Sequence, residues 1–321
     1  MAWMSLSRLP NMLPCLLWVS LVFGISTVRA ADESADAVGY LDIIDMSGGN
    51  ISAISRRMLI GFMNAIKIDL SNNQITVIET GAFDGLPLLH HLWLPFNHIH
   101  VIEKGVFDGK PTLTAIELGH NDITLIERGA FDGLPYLDYL CLTDNRIQTI
   151  PKNLFRDLTS LSHLFLGDNQ IRSIENDAFE GLSALEVLRL DSNQLQTVVV
   201  GMFNGMPSLS DLSLGRNEIA SVEDGAFSQL LSLKTFDLHG NQIQTITRGT
   251  FDGLESLTCL WLPGNRIAAI DEDAFAGLPS LIELNLADNP ICHSIAVALS
   301  GDTLHELTST WGMSPGAHIA C

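Results

Sequence analysis

The sequence predicts an α/β solenoid, a coil of stacked units that each add one short strand to a parallel β-sheet on the concave face. Two registers and one alternation predict it. Asparagine recurs every 24 residues without an insertion, at Asn73, Asn97, Asn121, Asn145, Asn169, Asn193, Asn217, Asn241, Asn265 and Asn289. Phenylalanine keeps the same spacing from Phe83 to Phe275, always ten residues after an Asn of the first series. Ahead of each Asn, apolar residues alternate with others, as in Leu164-Phe165-Leu166, and a period of two sends alternate side chains to opposite sides of a strand.

The elements follow in order along the chain. Residues 1–30 carry Arg8 and Arg29, no acid, and an apolar run from Leu13 to Ile25 that ends in Val28-Arg29-Ala30. This is the pattern of a secretory signal peptide cleaved after Ala30, and the run is too short to cross a bilayer. Residues 31–64 form an N-terminal cap and a divergent first unit, in which Ile44-Asp45-Met46-Ser47-Gly48-Gly49-Asn50-Ile51 puts Gly49 at the Asn position. No cysteine lies between the leader and Cys141, so this cap must close without disulfides. Residues 65–288 are the regular array, and residues 289–321 close the other end. There Thr303-Leu304-His305-Glu306 reads as a capping box before Leu307 and Trp311, which suits a short helix laid over the last unit.

Within a unit, Leu161-Ser162-His163-Leu164-Phe165-Leu166-Gly167-Asp168-Asn169-Gln170-Ile171-Arg172-Ser173-Ile174 reads L-x-x-L-x-L-x-x-N-x-I-x-x-I. The leucines, the two later isoleucines and the Phe make a core that no unit can bury alone, so neighbours must stack. The Asn side chain offers donors and an acceptor, and a column of them can satisfy backbone groups where the chain leaves the strand. Lys110 stands where Leu86, Leu134 and Leu158 stand in other units, and its stem can lie along the core with the ammonium toward water.

These units resemble the 24-residue subtype of the leucine-rich repeat found in Toll-like receptor ectodomains, lamprey variable lymphocyte receptors, Slit-like guidance proteins and small matrix proteoglycans. The resemblance covers about residues 41–292 and implies a leucine-rich-repeat horseshoe. Asn289-Pro290-Ile291-Cys292 resembles the start of the family's carboxy-terminal cap. That cap usually has four cysteines; here only Cys292 and Cys321 are present, and the resemblance implies that they form one disulfide. Cys141 and Cys259 lie five units apart, about 24 Å at the spacing of parallel strands, and are expected to be unpaired thiols.

No catalytic constellation emerges: there is no P-loop, dinucleotide-binding glycine motif or Gly-x-Ser-x-Gly elbow, and His305-Glu306 lacks the second histidine of a metalloprotease helix. No cofactor is implied. His90, His91, His98 and His100 are close in sequence, but strand period and turn send them different ways, so no metal site is assigned. Asn50-Ile51-Ser52 is a glycosylation sequon.

The register places the residues four and six before each Asn on the solvent side of the concave sheet. Along these columns His91, Trp93, Glu117, Tyr139, His163, Phe165 and Arg189 gather over neighbouring units and are the candidate ligand-binding residues. Acids recur six places after the Asn, at Glu79, Glu103, Glu127, Glu175, Glu223 and Asp271, and read as a solvated edge. The formal charge of −20 becomes −22 once the leader's two arginines are removed. Such an excess disfavours nucleic acid and anionic lipid and favours basic partners. Two functions stay open: a secreted recognition protein that binds an extracellular protein on the concave surface, with no membrane span in the mature chain, or a structural matrix or wall component acting by self-assembly.

Overall fold

The computed structural model describes residues 42–293, 310–313 and 317–321. The leader, the start of the N-terminal cap and the capping box at Thr303 lie outside the described residues. One parallel sheet of twelve strands runs the length of the coil. Eleven of its strands follow the repeat, from Asp42–Asp45 and Ala65–Asp69 through His91–Trp93, Ala115–Glu117, Tyr139–Cys141, His163–Phe165 and Val187–Arg189 to Asp211–Ser213, Thr235–Asp237, Cys259–Trp261 and Glu283–Asn285. Along the array, neighbouring strands pair residues 24 apart, as Leu140 with Leu164 and Leu164 with Leu188. The middle residue of each three-residue strand in the array points inward and is fully buried, because one side of the sheet faces the coil's core.

Opposite the sheet, the phenylalanines form an internal spine. Successive rings from Phe83 to Phe227 stack with centroids 5.8–6.3 Å apart. The stack changes once. Phe236 takes a strand position that is Leu in most units, and its ring meets Phe227 and Phe251 edge-on at 4.8 and 6.4 Å. The outer segments of the array are turns rather than helices, closed by bonds such as Ala82 N to Glu79 O at 2.9 Å.

The recurrent asparagines sit where the chain leaves the sheet. Asn169 Nδ2 reaches the carbonyls of Leu166 (3.2 Å) and Gly167 (3.0 Å) in its own unit and Leu142 (2.9 Å) in the unit before, while its Oδ1 accepts from Ile147 N at 3.0 Å. The links to the preceding unit recur from Asn73 to Asn289, so each side chain fastens two turns of the coil. The residue before each of these Asn has a positive φ, from Asn72 (55°) to Asp288 (56°), which turns the backbone so that the amide can reach back.

On the far edge the units associate in pairs. Short strands pair two by two, Ala53–Ile54 with Val77–Ile78, then Val101–Ile102 with Leu125–Ile126, Thr149–Ile150 with Ser173–Ile174, and onward. Glu127 shows why. Its N–H donates to Ile102 O at 2.9 Å, and its carboxylate accepts from Lys104 N at 2.9 Å, so one residue clamps the preceding unit twice. Glu79, Glu175 and Glu223 do the same to Arg56, Lys152 and Val200. At the next step the equivalent residue is Pro151, which has no N–H to give. The acidic column read as a solvated edge is therefore, at these four positions, a set of backbone clamps repeating every 48 residues.

Lys110 is 5% exposed, and its Nζ bonds the Gly109 carbonyl at 3.2 Å. At the carboxy-terminal end Trp311 covers the sliced core, edge-on to Phe275 at 6.2 Å, with Phe275 N donating to Trp311 O. Gly312 follows with φ 73°, and a Cβ there would meet Ala276 at 2.8 Å. His318–Ala320 then adds a twelfth strand beside Glu283–Asn285, and Cys292 is bridged to Cys321.

Two outcomes follow from this packing. Asn169→Ala leaves buried backbone groups of two units unpaired and should lower stability by about 1–3 kcal/mol in denaturant titration; an unchanged midpoint would show that the ladder carries no stability. Lys110→Leu restores the column's apolar residue and should raise the melting temperature, by an amount corresponding to about 1 kcal/mol. A lower melting temperature would show that the ammonium has a stabilising role.

Candidate binding surface

The concave columns are less open than a strand alternation alone implies. Tyr139 and Phe165 are 2% and 4% exposed, and with Ala115 and Cys141 they make a second apolar cluster, separate from the main core. Their ring centroids lie 5.4 Å apart, and His163 stacks on Phe165 at 6.2 Å. The expectation that these side chains face solvent is thus corrected for Glu117, Tyr139, His163 and Phe165, all of which are buried. The cause is geometric: parallel strands stand about 4.8 Å apart, so large side chains in adjacent units have little space and close over one another.

Glu117 sits under this cover. Its carboxylate accepts from Gly119 N at 2.8 Å and from the Tyr139 hydroxyl at 3.1 Å, and the Cys141 thiol also bonds it. Burial pushes its pKa above the ordinary value of 4.5, even though those donors oppose the shift. Cys141 is buried and Cys259 half-buried, and neither is in a disulfide.

His91, Trp93 and Arg189 are half-buried. The Lys67 ammonium lies over the Trp93 ring, 2.9 Å from its centroid, and 3.9 Å from Asp69. Burial lowers the Lys67 pKa, with the nearby carboxylates acting the other way. His91 is lowered to about 4 by burial and by the charges of His90 and Lys67, so its imidazole is neutral at physiological pH. Arg189 holds Asp211 through two contacts, 2.9 and 3.1 Å. The four clustered histidines do not converge: His90 Nδ1 lies 2.6 Å from Leu88 O, whereas His98 pairs with Asp122 at 3.0 Å. Among the described residues no group of three or more His, Cys, Asp or Glu side chains is placed to hold a metal ion. Asn50 is exposed, with φ 58°.

One feature of the rim was not legible from the strand columns. The positive-φ position before each ladder Asn holds Asn, Asp, Ser or Gly in most units, but Phe96 (57°), His120 (54°) and Arg216 (51°) in three. Phe96 and His120 stack face to face, 4.3 Å apart and 5° from parallel, and His120 Nδ1 lies 2.6 Å from Asp144 Oδ2. Reading that column for residue types ill-suited to a left-handed backbone would have found Phe96 and Arg216, since such a residue costs roughly 1–2 kcal/mol there; histidine is among the types that visit it more readily.

The Leucine rich repeat family signature matches six overlapping segments, residues 40–99, 88–147, 135–195, 183–243, 207–267 and 232–291. The chain belongs to the leucine-rich repeat family. Solved leucine-rich repeat structures share its coil. TLR13, in its complex with ssRNA13, is 32% identical over 73% of this chain, with a TM-score of 0.67. Toll in the Drosophila Toll–Spatzle complex is 24% identical over 75%, with a TM-score of 0.69. The LRIM1/APL1C complex gives 24% over 74%, with a TM-score of 0.57. At 24% identity the likeness shows the fold alone. The chain spans 34%, 34% and 46% of the lengths of these three leucine-rich repeat chains. No curated protein sequence matches it.

The buried carboxylate makes a pH-dependent prediction. A raised pKa means that the unfolded chain ionises Glu117 first, so stability is lost as pH rises from 4.5 through the higher folded value. Glu117→Gln should therefore stabilise the protein at neutral pH and leave it unchanged below 4.5. His91 titrates in both proteins and cancels in the difference. Melting curves whose separation is constant between about pH 4 and 8 would rule out a raised Glu117.

Proposed function

We propose that this protein is a secreted, non-enzymatic recognition protein that holds an extracellular protein ligand of basic character on its concave face. The observation that carries the reading is Trp93, a half-exposed indole on the sheet that already accommodates a cation on its ring. Large aromatics on such a surface are enriched among residues that dominate binding energy. Beside it the buried cluster of Glu117, Tyr139, Cys141 and Phe165 makes a rigid floor, so the ligand meets a preformed surface. His91 and Arg189 flank that floor, to which Glu117, Tyr139, His163 and Phe165 belong.

Secretion is supported by the character of residues 1–30 and by the Cys292–Cys321 bridge, since disulfides persist in oxidising compartments. We place a glycan on Asn50 for the same reason. Toll with Spatzle and LRIM1 with APL1C are complexes of such coils with proteins, which favours a protein ligand. TLR13 is bound to RNA, but a net charge of −20 sets this chain against a polyanion.

An unbiased screen of extracellular proteins, followed by affinity measurement, tests the reading. Trp93→Ala should retain the melting temperature and lose about 2 kcal/mol of binding, whereas Tyr136→Ala, an exposed ring outside the sheet, should change little. Phe165→Ala is the poorer probe, because it also opens the buried cluster. Equal binding by the Trp93 variant would remove the concave face from consideration. Concentration-dependent assembly of the purified protein in light scattering, with no ligand found, would favour the self-assembling matrix role instead.

A further inference from the structure

We propose that the stacked rings of Phe96 and His120 form an anchoring shelf for arginine side chains of the ligand, at the rim where the chain leaves the concave sheet. The proposal rests on the concave-recognition reading and extends it to residues outside the sheet. Phe96 occupies a backbone position where a bulky side chain is strained, and where all other units but those of His120 and Arg216 use glycine, aspartate, asparagine or serine. Folding gains little from the choice. The ring remains half-exposed, and its partner is another half-exposed ring rather than the core.

The pair is built as a stack. The rings lie 4.3 Å apart and 5° from parallel, so their inner faces cover each other and each ring keeps its outer face for a further planar group. His120 is held in its plane by Asp144, whose carboxylate is mostly exposed. Farther along the same column Asp168 is pushed above the usual carboxylate range by burial, with the charge of Asp144 adding to it and the Ser192 hydrogen bond and Arg216 opposing it. Glu117 binds the N–H of Gly119, the residue before His120.

This combination selects a particular cation. A guanidinium is planar, stacks on ring faces, and donates in its plane to carboxylates, whereas an ammonium is a compact, strongly hydrated charge. A ring face bordered by Asp144 therefore fits arginine better than lysine. The acid-rich surroundings and the net charge of −20 complement such a ligand and repel a nucleic-acid base attached to phosphate.

The test uses the full secreted chain and two labelled probes, the peptides (Gly-Arg)4 and (Gly-Lys)4, compared by fluorescence anisotropy at physiological salt. The wild-type protein should prefer the arginine peptide by about three-fold or more. Phe96→Asn suits the left-handed backbone, so it should keep or raise the melting temperature while abolishing the preference. His120→Ala should abolish it too. Tyr136→Ala, an exposed ring outside the sheet, should leave the preference intact. Loss of screened-ligand binding in Trp93→Ala speaks to the concave reading, whereas the peptide preference in Phe96→Asn and His120→Ala speaks to the shelf. Equal affinity of the wild type for both peptides would overturn the proposal. So would a preference that survives Phe96→Asn, a lower melting temperature in that variant, or tighter binding of a single-stranded oligonucleotide that Phe96→Asn removes.

Discussion

The asparagine bridge between units is the interaction on which the rest of the structure depends. A solenoid must turn its backbone sharply once per unit, and each turn strands carbonyls and amides inside a nearly dry coil. One amide side chain serves both needs, donating to carbonyls of its own and the preceding unit and accepting an amide from the preceding unit. Its reach also fixes the register of the sheet. Because the bridge demands a left-handed residue just before it, the same interaction creates the strained rim column that Phe96 and His120 occupy.

The far edge obeys a different rule. There the glutamate clamps join units in twos, so the coil is periodic at 24 residues on its concave side and at 48 on the opposite edge. The steps between pairs, such as that at Pro151, have fewer backbone links and are where local opening should be least costly. Concave and outer surfaces can therefore differ in stiffness although one repeat builds both.

On the concave face, crowding rather than strand alternation decides exposure. A residue on the outward side of a strand is normally solvated, yet Tyr139 and Phe165 cover each other and seal Glu117 between hydrogen-bond donors. Trp93 escapes this because its neighbour across the sheet is Lys67's unit on one side and the buried Glu117 on the other, which leaves one ring face for a cation. A rigid floor beside a partly open indole follows from the order of residue types along one column.

The sequence by itself determined the periodic features: the 24-residue unit, the parallel sheet, the inward leucines, the asparagine column and the phenylalanine spine. Each depends on one residue type at one spacing, and stacking copies the same environment from unit to unit, so the pattern is legible without coordinates. What only the tertiary structure decided is whatever depends on two unlike units meeting. The burial of Tyr139 and Phe165, the cation over Trp93 and the stacking of Phe96 on His120 arise between side chains about 24 residues apart, and the clamping role of Glu79, Glu127, Glu175 and Glu223 between a carboxylate and a backbone N–H of the preceding unit, so no single unit contains them. The same holds for the last strand, His318–Ala320, which pairs with Glu283–Asn285 at an offset outside the repeat.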